Sequence, residues 1–169
     1  GFDDLLTVDG SFTLVQQDAG TPETFGTGAK ALILNLTVAA DSGNASASGS
    51  LELIRVSNAT QSWLGVEASN LDFGLDFAPV TLAVTNGALK LNQATNASRV
   101  NWSVITIGTT TVDVIDTVDM TVSGDASIGF DDLLTVDGSF TLVQQDAGTP
   151  ETFGTGAKAL ILNLTVAAD

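Results

Sequence analysis

The feature that most constrains this chain is a perfect internal repeat. Residues 1–41, from GFDDLL to LTVAAD, recur without a substitution as residues 129–169. The 169 residues therefore contain one complete unit, 1–128, and the start of an identical unit, 129–169. Self-similarity at a fixed long period is the signature of repeat architectures. We interpret the chain as part of a longer tandem array, in which the register of the unit boundary is arbitrary.

The composition of the unit favours a folded, all-β structure. With 44% apolar residues and a mean hydropathy of +0.31, the chain is too hydrophobic for a disordered tract, and 128 residues suffice to bury a core. The apolar residues are mostly Ala, Val, Leu and Ile, accompanied by abundant Thr, and apart from Ala these residues favour strands. No segment has the period of an amphipathic helix.

The charged residues exclude several functional classes. With 20 acidic and 5 basic residues the net charge is −15, so the chain offers no basic patch for nucleic acid. It has no Cys or His, which excludes a disulfide or zinc framework and removes the usual general base. Asp72 and Asp76 lie on one strand face about 13 Å apart, too far for a glycosidase pair. We therefore expect that the protein is not an enzyme. We also expect no membrane-spanning helix, because no run of 18 apolar residues occurs.

The segment LLTVDGSFTLV, residues 5–15, has the Asp-Gly dipeptide that is typical of a hairpin turn. A two-residue turn at Asp9-Gly10 would oppose Val8 to Ser11, and each further core residue would also oppose a polar one. Read as one strand, the segment has its apolar residues on one face. The sequence therefore predicts a continuous strand, and a three-residue loop, which would keep the same phase, remains the alternative.

The same comparison of faces predicts three hairpins in the middle of the unit. In each, a turn would bring apolar residues of two strands opposite one another. The predicted turns, each with one of its apolar pairs, lie at 41–44 (Leu34 with Leu51), at Ser69-Asn70 (Val66 with Phe73) and at Asn86-Gly87 (Val84 with Leu89).

A long alternating run crosses the boundary between the two units. Even positions from 112 to 142 are apolar or glycine except Asp116 and Asp132. This run is longer than an ordinary strand of about five or six residues, so it must either bend or form an extended link between units. The junction at 128/129 has no flexible spacer. We therefore predict an antiparallel β-sandwich-like unit that continues into the next repeat, with a β-solenoid as the alternative because its corners preserve the same alternation.

Acidic residues near the junction are candidate calcium ligands. Calcium binds six to eight oxygens and accepts them from turns without a strict motif. Asp116, Asp119, Asp131 and Asp132 would cluster if the long run bends there, and the alternative is that they are surface charges and ordinary turn residues. The sequence has no EF-hand loop and no glycine-rich calcium nonapeptide. Calcium is the one cofactor that the pattern suggests.

Six of the nine asparagines lie in Asn-x-Ser/Thr sequons, which is more than chance predicts. We expect all six side chains to point toward solvent, from the polar faces of strands or from turns. Asn is also frequent in exposed turns for structural reasons alone. The candidate glycosylation sites are Asn35, Asn44, Asn58, Asn96, Asn101 and Asn163.

Two segments resemble the tandem repeats of very large, β-strand-rich secreted or surface proteins of prokaryotes. They are GVEASNLDFGLDFAPVTLAVTNGALKLNQA and VDMTVSGDASIGFDDLLTVDGSFTLV, with alternating strands and Asn- or Asp-rich turns. The resemblance implies an extracellular fibre, stalk or giant adhesin of stacked β units, often with bound calcium. The chain departs from the pattern by lacking glycine-rich calcium repeats.

Two functions are consistent with these observations. The first is a structural repeat of an extracellular filament or surface stalk, in which stacked units form a semi-rigid rod. Its partners would be adjacent repeats and neighbouring filaments. The second is a multivalent adhesin module whose exposed turns bind carbohydrate or a neighbouring cell, with avidity supplied by repetition. Exposed Trp63 and Trp102 would favour sugar binding and buried ones the scaffold, and we expect Trp102 inside because it shares its phase with Val100 and Val104.

Overall fold

The computed structural model describes residues 7–130, 134–148, 154 and 156–168. These residues form a single antiparallel sheet of eight strands, so the prediction of an all-β, antiparallel fold is confirmed. The described residues include one four-residue helix and one short 3-10 turn. The elements are β1 (Thr7–Asp18), α1 (Pro22–Phe25), β2 (Lys30–Asp41), β3 (Ala45–Ser57), β4 (Ser62–Phe77), β5 (Val80–Thr95), a 3-10 turn (Trp102–Val104), β6 (Val118–Phe130), β7 (Leu134–Asp146) and β8 (Lys158–Ala168).

The strands follow one another across the sheet in chain order, from β1 at one edge to β8 at the other. Each strand is antiparallel to the next in the chain, so the sheet is a meander and not the coils of a solenoid. Where the sequence predicted two packed sheets, the described residues form one. The sheet is open, with β1 and β8 as unpaired edges.

The sheet passes through the junction between the two units. Strand β6 contains the 128/129 boundary, and it pairs with β7 over its whole length, from Phe130 opposite Leu134 to Val118 opposite Gln145. The long alternating run therefore reverses direction between Phe130 and Leu134. A three-residue connection leaves the phase of the run unchanged, so the alternation of apolar residues alone did not reveal the reversal.

The two copies of the repeated segment fold alike. Strands β7 and β8 have the sequences of β1 and β2, and they keep the same register: Gly138 lies opposite Val166 as Gly10 lies opposite Val38. Each 128-residue unit therefore contributes six strands to the sheet.

Strand β1 runs without interruption through Asp9-Gly10, as predicted. A Cβ atom at Gly10 would lie 2.8 Å from the carbonyl oxygen of Thr37 on β2, so the position has no room for a side chain. Here glycine provides close approach of the neighbouring backbone and not a turn.

The predicted hairpins at Ser69-Asn70 and Asn86-Gly87 are wrong. Strands β4 and β5 run straight through these positions, and Asn70 and Asn86 adopt positive φ values of 51° and 53° at irregularities in the strand pairing. A β-bulge inserts one extra residue and so shifts the phase by one. A two-residue turn produces the same shift in the sequence, and the pattern of apolar residues cannot separate the two.

The predicted hairpin at 41–44 is confirmed, with a different register. Strands β2 and β3 pair with Leu34 opposite Leu53 and Leu36 opposite Leu51, which is two residues away from the predicted alignment. The side chains keep their predicted faces, because a shift of two residues preserves the alternation.

The two faces of the sheet have different surroundings. Residues 96–117, here called the bridging segment, connect β5 to β6 and lie across one face, the covered face. Its apolar side chains pack with those of β2, β3 and β4 into one buried cluster at one end of the strands. The opposite face, here called the open face, has no described segment across it. The buried cluster comprises Ala19, Phe25, Ala29, Ala31, Ile33, Ile54, Val56, Trp63, Trp102, Ile107, Val112 and Val114.

Candidate functional sites at the repeat junction and on the two faces

Trp102 is the centre of the buried cluster. It is fully buried above Gly65 of β4, where a Cβ atom would lie 2.8 Å from three of its ring atoms. The Phe25 ring stacks on it with centroids 5.7 Å apart and meets Trp63 edge-on at 5.1 Å. The bridging segment can therefore seat its tryptophan only because β4 has a glycine at this point.

Asn92 of β5 fastens the bridging segment to the sheet. Its Nδ2 donates to the carbonyl oxygens of Val100 (2.8 Å) and Ile115 (2.9 Å), near the two ends of the segment. Its Oδ1 accepts from Nε1 of Trp102 at 3.3 Å. Asn92 is buried, and these three bonds satisfy most of its capacity. The sequence reasoning did not identify it, although a lone Asn among strand residues is a possible signal.

Both tryptophans have structural roles. Trp63 is 4% exposed and donates from Nε1 to the carbonyl oxygen of Ser98 at 3.0 Å, which adds a further bond to the bridging segment. Burial of Trp102 was predicted and is confirmed. Neither indole ring is available as an exposed platform for stacking a sugar.

A cluster of four charged side chains lies where the first unit meets the second. Arg99 and Asp119 belong to the first unit, and Asp146 and Lys158 belong to the second. The Arg99 guanidinium contacts Asp119 and bonds Asp146 at 2.6 Å, while the Lys158 ammonium lies 2.7 Å from Asp119 and 2.6 Å from Asp146. Each cation thus bridges both carboxylates, and we call this set the junction cluster.

Two members of the junction cluster are largely buried, whereas Lys158 and Asp146 are 40% and 57% exposed. The Arg99 and Asp119 side chains are only 15% and 13% exposed, so water screens their charges less. Hydrogen bonds from Lys158 and then Arg99 lower the pKa of Asp146 below its usual value. Arg99 also donates from Nε to the carbonyl oxygen of Asp116 at 2.8 Å, which holds the guanidinium in place.

The calcium candidates do not form a carboxylate cage among the described residues. Asp119 is occupied by the two cations of the junction cluster, and Asp116 contributes its backbone carbonyl to Arg99. Asp131 and Asp132 lie outside the described residues. Within the described ranges, no group of three or more acidic residues is arranged to hold a metal ion.

The sequon asparagines have different environments. Asn44, Asn96 and Asn163 are exposed, as predicted. Asn35 is not: it lies on the covered face, its Nδ2 donates to the Thr110 hydroxyl at 3.2 Å, and its Oδ1 is buried. The prediction that all six point toward solvent is therefore wrong at Asn35, because the bridging segment covers the polar phase of β2 at this position.

Asn58 and Asn101 stabilise turns and are half-buried. The Asn58 Nδ2 donates to the carbonyl oxygen of Phe25 at 2.8 Å, while its Oδ1 accepts from the backbone N–H groups of Thr60 and Gln61 at 2.9 Å. The Asn101 Oδ1 accepts from the backbone N–H of Ser103 and caps the 3-10 turn. Both follow the local hydrogen-bonding habit of Asn in turns.

Comparison with known proteins found no match: no family model, no curated protein and no solved structure matches the chain. In the part of the chain that the structure describes, no helix is long and apolar enough to cross a membrane. The functional argument therefore depends on the geometry of the sheet, its junction and its faces.

Proposed function

We propose that this chain is a structural repeat of an extracellular filament or surface stalk, in which consecutive units form one continuous, semi-rigid sheet. The observation that carries the proposal is the pairing of β6 with β7 across the unit boundary. A backbone ladder through the junction leaves no flexible linker there, so neighbouring units cannot pivot freely as separate domains do.

The junction cluster supports the same function. Its four charges come two from each unit, and two of its ion pairs cross the boundary: Arg99 with Asp146 and Lys158 with Asp119. These two pairs form only when neighbouring units adopt a fixed relative position. Lys30 and Asp18, the copies of Lys158 and Asp146, already contact each other at the opposite edge of the sheet. In an array, the Arg99 and Asp119 of a preceding unit would meet that pair, and the same contacts would recur at every junction.

The edges of the sheet match an array as well. Strand β1 has the sequence of β7, which pairs with β6, and β8 has the sequence of β2, which pairs with β3. Each edge therefore has the residues that pair with another strand elsewhere in the same molecule. Preceding and following units would satisfy the unpaired backbone groups that otherwise make sheet edges prone to aggregation.

The burial of Trp63 and Trp102 favours this scaffold over the carbohydrate-binding module. Exposed Asn44 and Asn96 support glycan attachment on the outer surface of such a fibre, which would be extracellular. Asn163 is the copy of Asn35, and in an array it would be covered as Asn35 is.

Small-angle X-ray scattering on chains of two, three and four complete units tests the proposal. Six strands per unit at about 4.8 Å per strand give an increment of about 29 Å in maximum dimension for every added unit. We expect this constant increment. Growth with variable spacing between compact beads would contradict a continuous sheet.

The matched control uses one position on β7. Thr141→Pro is introduced at the equivalent position of each junction. It removes a backbone N–H in the interior of the sheet, whereas Thr141→Ala keeps that N–H. We expect the proline arrays to lose the constant increment and the alanine arrays to retain it. Equal behaviour of the two would show that the junction pairing does not set the length.

A further inference from the structure

The open face is apolar almost throughout, and no segment among the described residues covers it. On all eight strands its residues alternate with those of the covered face. The bulges in β4 and β5 shift the alternation by one residue in both strands, so the open-face residues of neighbouring strands stay opposite one another. The Phe12 side chain is 74% exposed and that of Ile128 is 51% exposed. Among its exposed large side chains are Val8, Phe12, Leu14, Phe73, Val80, Ile128, Phe130, Leu134, Leu160, Leu162, Leu164 and Val166.

Charge is distributed unequally between the two faces. Along the strands, the charged residues in phase with the open face lie at one end of the sheet: Asp18, Lys30, Arg55, Asp146 and Lys158. The covered face, beyond the bridging segment, presents carboxylates on several strands: Asp9, Asp41, Asp72, Asp76, Asp125 and Asp137. Two acidic faces repel each other, whereas two open faces meet with charged residues at one end of the sheet only.

The area of the open face is sufficient for a stable interface. Eight strands at about 4.8 Å spacing and about 12 residues at 3.3 Å each give a face of about 1,500 Å². A standard protein interface needs about 800 Å² from each partner. The exposed apolar patch is also larger than the few hundred Å² that monomeric proteins usually tolerate.

We propose that the open face binds the open face of a second copy of this sheet. The two sheets would stack about 10 Å apart, with strand directions within about 30° of each other, as in aligned sandwiches. The second copy would supply the layer that the described residues lack, and the acidic faces would point outward on both sides. This pairing does not depend on the filament function, because it concerns the sheet of a single 169-residue chain.

Sedimentation velocity over a range of concentrations tests the pairing with two lysine variants of equal charge change. Ile128 and Ser139 lie on β6 and β7, are both exposed, and face opposite sides of the sheet. We expect the parent chain to dimerise. Ile128→Lys should raise the dissociation constant of the dimer by more than about tenfold, because it buries a charge in the interface. Ser139→Lys should change the dissociation constant by less than about twofold, because position 139 lies on the other face. A monomeric parent chain at all concentrations, or equal effects of both variants, would overturn the proposal.

A second measurement keeps the test valid if a lysine variant folds poorly. The chain has no Cys, so Ile128→Cys and Ser139→Cys each introduce a single thiol. We expect the labelling rate at position 128 to fall as the dimer forms and the rate at position 139 to stay constant. Constant rates at both positions contradict the pairing. Protection at position 128 only when phosphatidylcholine vesicles are added would assign the face to lipid and overturn the proposal as well.

Discussion

At the residue scale, the absence of a side chain at Gly65 determines whether the core can form. Trp102 lies 37 positions further along the chain, and its ring occupies the space that a Cβ atom at Gly65 would need. In the sequence, Gly65 is one of 17 glycines and has no distinguishing local pattern. Its role becomes visible only when the bridging segment folds back over β4.

We predict that Gly65→Ala lowers the free energy of unfolding by about 1–3 kcal/mol, because the added methyl group overlaps a fully buried indole. Chemical denaturation at fixed protein concentration measures the change. The matched control is Gly74→Ala on the same strand, where the contact is the Ser46 hydroxyl, which can rotate away. Destabilisation by the control as large as that by Gly65→Ala would refute the packing argument.

A second residue-scale prediction concerns acid stability at the junction cluster. Bonds from Lys158 and then Arg99 lower the pKa of Asp146 in the folded chain, so ionised Asp146 favours folding. This contribution is complete above the unfolded-state pKa of about 3.9 and is lost as the pH falls through the lower folded-state pKa. We expect Asp146→Asn to reduce the loss of stability between about pH 5 and pH 2 in thermal unfolding.

The repeat supplies the control for that measurement. Asp18 is the copy of Asp146, and its described cation contact is with Lys30 alone. Asp18→Asn therefore removes one ion pair, whereas Asp146→Asn removes contacts with both Lys158 and Arg99. If the two variants show the same pH profile, the contact of Asp146 with Arg99 across the junction adds nothing to acid stability.

At the element scale, alternation identified strand faces correctly but could not distinguish a hairpin from a bulge. Val84 and Leu89 share a face on one continuous strand because Asn86 introduces the extra residue, and Val66 and Phe73 share a face for the same reason near Asn70. Both structures satisfy the hydrophobic pattern equally. The choice between them is made by neighbouring strands, since β3 offers partners to β4 and β6 offers partners to β5 on both sides of each irregularity.

The repeated strands show how neighbours control identical sequences. Ile33 of β2 is 4% exposed, whereas its copy Ile161 of β8 is 42% exposed, although the two strands have the same residues and the same register. β2 has a strand on both sides and the bridging segment above it. β8 is an edge, and the described residues place nothing across it.

We predict that amide hydrogen exchange, followed by NMR, is at least about tenfold slower in β2 than in β8 because opening an edge costs less free energy. Strands β1 and β7 form the crossed control, since here the first copy is the edge and the second is interior. We expect β7 to exchange more slowly than β1. If the first copy is slower in both pairs, position in the sheet does not explain the protection.

At the scale of the whole molecule, the sequence by itself determined the all-β class, the faces of the strands and the identical folding of the two copies. These properties follow from backbone alternation and from identical residues, which act locally. Tertiary structure decided the rest: that Asn35 is covered, that Arg99 meets Asp146, and that the described chain has one layer. The contacts of Asn35 and Arg99 join residues that lie 75 and 47 positions apart, and local patterns contain no information about such distant partners. Only the folded sheet, by bringing the bridging segment and the second unit beside the first, brings them into contact.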